Sequence, residues 1–213
     1  WDADTGEKLA ETRPVLPVST EMNCDDCHHD GGVEGIATGS VELNILTLHD
    51  EENAGEYPPG YEGGLVEHAP IQCAECHGSN ALNMPGVAGL EDVAIVVHDE
   101  HAERVANSIE GCYKCHPGPQ TQCLRGVMAW RHDMDCTDCH GAMEDLAEKD
   151  EPWLDEPRCA DPGCHESTYA QNQSLYRLSW GHGNVYCEGC HDSPHAIAPS
   201  RVLTDGIKFR EWQ

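Results

Sequence analysis

Cys24-Asp25-Asp26-Cys27-His28 opens a series that recurs along the chain. Cys73-Ala74-Glu75-Cys76-His77, Cys112-Tyr113-Lys114-Cys115-His116, Cys136-Thr137-Asp138-Cys139-His140 and Cys187-Glu188-Gly189-Cys190-His191 repeat its spacing. Cys159-Ala160-Asp161-Pro162-Gly163-Cys164-His165 widens the gap between the cysteines to four residues but keeps the histidine directly after the second. Residues i, i+3 and i+4 of a helical turn share a face, so each run presents two sulfurs and an imidazole together. Pro162 and Gly163 suit the looped-out turn that the wider run needs.

The histidine after each second cysteine decides between chemistries. Zinc sites pair cysteine couples into closed tetrahedra and do not need that histidine; a disulfide scaffold imposes no such rule either. Cys-x-x-Cys-His is the attachment signature of c-type haem. Two thioether bonds fix the porphyrin, and the histidine supplies one axial ligand. The expectation is six haem c. They would be held by Cys24, Cys27, Cys73, Cys76, Cys112, Cys115, Cys136, Cys139, Cys159, Cys164, Cys187 and Cys190, with His28, His77, His116, His140, His165 and His191 as proximal ligands. Of the 13 cysteines only Cys123 is left over, and it reads as a small buried apolar residue, with a free thiol or a pairing between chains as alternatives.

The composition explains why such a chain needs its cofactors. Aromatic residues make up 6%, with Phe209 the sole phenylalanine, while Gly and Pro number 21 and 13. So poor an apolar inventory struggles to build a core. With 213 residues shared among six motifs, about 35 each, the porphyrins become the core. The expected fold is mostly irregular and loop-rich, with short α-helices and little β structure, organised around haem.

Thirty-nine acidic residues against 12 basic give a net charge of −27. Repulsion excludes nucleic acid, whereas a basic redox partner or a metal cation fits. The longest unbroken apolar run, Val93 to Val97, is five residues. A bilayer needs about 20, so no transmembrane segment is expected. The chain begins at Trp1, and haem c is attached outside the cytoplasm. The expected form is therefore exported and processed, extracellular or at the cell surface, with the periplasm as alternative.

Three segments are expected. Residues 1–22 form an extended N-terminal arm around Arg13-Pro14-Val15-Leu16-Pro17, 23–195 one elongated six-haem unit, and 196–213 a C-terminal docking tail. The tail is apolar and slightly basic on an acidic body. The clearest helix runs from Leu90 to about Asn107, with shorter ones over 142–149 and 166–178. Val41 to Leu48 reads as a strand or a helical turn, and 50–64 as a surface loop.

Eight of the 14 histidines stand outside the motifs, an excess that points to distal iron ligation. In order of preference they are His49, His98, His101, His182, His195, His68, His132 and His29. His98 and His101, three apart on the expected helix, project to one side and can serve two neighbouring haems. Methionines 22, 84, 128, 134 and 143 rank below them. Histidine on both faces closes the iron to substrates and leaves electron transfer.

The segments Cys112-Tyr-Lys-Cys115-His116-Pro-Gly, Cys136-Thr-Asp-Cys139-His140-Gly and His182-Gly-Asn-Val-Tyr-Cys187-Glu-Gly-Cys190-His191-Asp-Ser-Pro-His195 resemble multihaem cytochromes of metal-reducing and sulfate-reducing microbes. Cytochromes of the c3 type also use a four-residue gap. Their Cys-His-His, which Cys27-His28-His29 resembles, can lend the second histidine to a neighbouring haem. The resemblance covers about residues 20–200 and implies electron transfer, with redox proteins or an extracellular acceptor as partners. It extends to subunits of extracellular cytochrome filaments, which self-associate through their termini, with a periplasmic shuttle as alternative. A reductase of small oxyanions with one open haem is the enzymatic alternative. All six motifs end in histidine, which favours a non-enzymatic conduit.

Overall fold

A computed structural model describes residues 22–80, 82–116, 128, 132–149, 157–165 and 178–187, with residues 5 and 195. The expectations for the arm before Met22, the helix over 166–177, the tail 196–213, Cys123, Cys190 and His191 lie outside the described residues. Among the described residues short helices joined by turns dominate, and the named strands form one small hairpin, with an isolated bridge between Ser79 and Met84. The loop-rich class with short helices and little β is therefore present. No helix among the described residues is long and apolar enough to cross a membrane.

The chain divides into two compact units, each described by itself. The first comprises Met22–Ala106 and Met143–Trp153; the second comprises Asn107–Ala142 and Leu154–Gln213 together with Trp1–Glu21.

In the first unit, α1 spans Val41–Glu52. Periodicity left this stretch open between strand and helical turn; its caps decide for helix. The Ser40 hydroxyl accepts from Leu43 N at 3.1 Å, and Glu42 adds negative charge in the first turn. Asn53 closes the other end, its backbone N–H and its side-chain Nδ2 both donating to the His49 carbonyl. Asp50 then ties down the following loop. Its carboxylate accepts from Leu65 N at 2.7 Å, Val66 N at 3.0 Å and the Tyr57 hydroxyl at 2.8 Å. The expected surface loop thus begins only after Glu52 and is anchored to the helix end that carries His49.

Helix α2 spans Val93–His101, shorter at both ends than the expected Leu90 to Asn107. Ala102 N donates to the Asp99 carbonyl, a tightened final turn, and Arg104 N and Val105 N both return to the His101 carbonyl. The chain turns there because Ser108 must cap the next helix, α3, Ile109–Cys115, by accepting from Gly111 N. In the second unit α3 is followed by α4, Cys136–His140. Helix α5, Met143–Ala147, packs on α2 in the first unit. The hairpin pairs β1, Trp180–Gly181, antiparallel with β2, Val185–Tyr186.

Very little apolar surface is hidden among the described residues. Among the described residues the buried hydrophobic side chains are Leu46, Leu65 and Ala74, and the buried polar ones are Asn44 and Ser179. Three such apolar side chains offer little burial around which the described turns could pack.

Candidate functional site

Five of the six motifs are described through their histidine, and each is a single closed turn. His28 N donates to the Cys24 carbonyl at 2.8 Å, His77 N to Cys73 at 2.8 Å and His116 N to Cys112 at 2.9 Å. The wider fifth motif closes with the same partners, His165 N to the Cys159 carbonyl at 3.1 Å, the extra residues looping out over Gly163 at φ 89°. Motif four forms α4 itself. Asp135 caps it by accepting from Thr137 N at 2.7 Å and Asp138 N at 3.3 Å, and Asp138 answers Asp135 N at 2.8 Å. Glycine guards the exits of the first two motifs. A Cβ at Gly32 would collide with the Cys27 carbonyl, and one at Gly86 with the Cys76 carbonyl and Gly78 N. None of the eleven described cysteines is in a disulfide.

The histidines then pair across the fold. His28 faces His101 with ring centroids 6.1 Å apart and planes at 75°. His77 faces His49 at 6.4 Å and 65°. His140 faces His195 at 5.9 Å and 19°. Each pair joins the histidine of a motif to one from outside the motifs. Metal–imidazole bonds of about 2 Å put the centroids of two trans imidazoles roughly 6 Å apart. Separations of this length would suit one metal ion held by both imidazoles of a pair.

Hydrogen bonds set which nitrogen is offered. Nδ1 of His77 lies 3.0 Å from the Glu91 carbonyl, that of His101 2.7 Å from Val97 and that of His98 2.6 Å from Ala94. A carbonyl only accepts, so these nitrogens carry the proton and Nε2 keeps the lone pair that binds a metal. His28 Nδ1 bonds Asn44 Oδ1 at 3.0 Å. His49 differs, because its Nδ1 is buried with no partner. Burial, and then the neighbouring His77, push the His49 imidazole below its ordinary range and favour the neutral form that ligates metals.

No protein-family model matches the chain, and no curated protein or solved structure is similar to it.

The other candidates fall differently. His98 shares α2 with His101. His68 ends a 3-10 turn, Val66–His68, with its ring 5.3 Å from that of Tyr61. His182 sits in the hairpin turn with a left-handed φ of 40°. His132 is exposed. His29 is exposed and turns its Nδ1 to the Asp30 carbonyl. Sequence reasoning missed Asn44, a polar residue inside the apolar run 41–48, and Ser179, which precedes the hairpin.

Cysteines of consecutive motifs also lie side by side. Burial and then the Cys73 sulfur raise the Cys24 thiol. A hydrogen bond from Cys136 draws Cys112 down to about 7. Burial and Cys187 push Cys159 up to about 11, against a hydrogen bond from the Ser179 hydroxyl. Ser179 is 1% exposed, and its carbonyl also receives Cys187 N at 3.0 Å, so it clamps motifs five and six together. Burial and then Cys164 raise Cys139, which brings motif four beside motif five.

Proposed function

We propose that this chain is an electron-transfer protein carrying six c-type haems with histidine on both faces of the iron. The observation that carries the reading is the set of three imidazole pairs at 5.9–6.4 Å, each combining a motif histidine with a distant one. Bound haem c supplies a one-electron Fe(III)/Fe(II) couple. The chain's own groups do the rest. The cysteines anchor, the motif histidines ligate from one side, and His101, His49 and His195 cap the other side of motifs one, two and four. With both positions filled, motifs one, two and four leave no site for a substrate, which favours a conduit over a reductase.

The adjacent cysteines of motifs one and two, three and four, four and five, and five and six support close spacing of the cofactors within each unit. The thin core supports it as well, since large apolar bodies would supply the missing burial.

The test is maturation in a host with haem-attachment machinery. Intact mass and the pyridine haemochrome spectrum should report six covalent haems, and electron paramagnetic resonance should be entirely low-spin. A chain matured there without covalent haem would overturn the reading. A high-spin haem in the wild-type protein would favour the oxyanion reductase instead. Export to the cell surface and self-association into a filament extend this proposal on the sequences of 1–22 and 196–213. Negative-stain microscopy tests the filament: uniform fibres support it, and dispersed particles at high concentration oppose it.

A further inference from the structure

Asn44 is fully buried, with 0% exposure, in the helix that ends near His49. A buried amide must satisfy both ends, and its neighbours dictate how. Nδ2 donates to the Ile36 carbonyl at 3.3 Å. That carbonyl can only accept, so the amide cannot be flipped, and Oδ1 must face His28 Nδ1 at 3.0 Å. His28 Nδ1 therefore carries its proton as a donor, and Nε2 is the nitrogen left to bind a metal beside His101. His101 is held in the same tautomer by the Val97 carbonyl. In the neighbouring pair only His77 has such an acceptor, the Glu91 carbonyl, while His49 Nδ1 has none.

An acceptor on the far nitrogen makes an imidazole a stronger donor to its metal and stabilises the more highly charged oxidation state. We infer that Asn44 is a positioning residue that lowers the reduction potential of the haem at Cys24–His28, so that this centre lies below the haem at Cys73–His77. The inference rests on the haem reading and adds a direction to it: within the first unit, electrons run downhill from motif one to motif two.

The test compares Asn44→Leu, which removes the acceptor, with Asn44→Asp, which strengthens it, in the fully matured protein. Spectroelectrochemical titration should show one of six components moving up in the first variant and the same component moving down in the second, with haem content unchanged. A merely structural role would move both variants the same way, or disturb several components. Either of those results, or no shift in variants that still bind six haems, overturns the inference and leaves the haem reading standing. If Asn44→Leu does not mature, the downward shift in Asn44→Asp decides alone. A wild-type chain that matures without haem overturns both readings.

Discussion

The imidazole centroids of His28 and His101 lie 6.1 Å apart with their planes at 75°, although one closes the first motif turn and the other ends α2. Helix α2 is placed for this by its own start, where Val93 N donates to the Gly78 carbonyl just beyond the second motif. Removing the His101 ring should therefore open one haem and no other. His101→Ala is expected to retain all six haems and to convert one to a five-coordinate, high-spin centre, read by electron paramagnetic resonance and the visible spectrum. An unchanged low-spin spectrum would refute the assignment of His101 to the first motif.

Among the described residues three apolar side chains are buried, a core small enough that the haem-free chain is expected not to fold alone. Expressed without haem attachment, the chain is expected to lack a cooperative thermal transition in calorimetry, whereas the matured protein should show one. A sharp transition in the haem-free chain would mean that packing elsewhere supplies the core.

Asp135 links helix capping to pH. The Thr137 hydroxyl hydrogen bond is the chief influence holding its carboxyl below the ordinary 3.8; burial opposes it, and the Thr137 and Asp138 N–H groups assist. A carboxyl depressed in the folded state stabilises fully above its unfolded value and loses that contribution as pH falls through its folded value. Asp135→Ala should cost about 1 kcal/mol at neutral pH, measured by denaturant unfolding of the matured protein. The gap between the two proteins should close as pH drops below 3.8. A gap independent of pH would show that the carboxylate is not the capping group.

The cysteine contacts predict neighbours among the cofactors. In the reduced, diamagnetic protein, nuclear Overhauser effects are expected between the haems of motifs one and two, three and four, four and five, and five and six. Their absence within these pairs would refute the proposed path. Ser179→Ala should loosen the five–six pair in particular, since it removes the hydroxyl hydrogen bond to Cys159 and leaves only the backbone carbonyl that receives Cys187 N.

How much was readable from sequence depended on distance along the chain. Motif turns were legible because their closing hydrogen bonds span only the motif itself, from His28 to Cys24 or from His165 to Cys159. Helix α1 was ambiguous because an apolar run does not declare its period, and Ser40 resolved it. The expected length of α2 failed at its C-terminal end, where the pattern continued to Val105 but the backbone turned at His101 to reach the Ser108 cap. Asn44 was overlooked because a polar residue in an apolar stretch signals nothing until a partner is found for it.

Sequence alone determined which cysteines and histidines form each motif, since residues four apart on a turn meet whatever the rest of the chain does. Only the tertiary structure decided that His101 faces His28, His49 faces His77 and His195 faces His140. Those partners come from separate helices and turns, brought together by a chain path that no local spacing records.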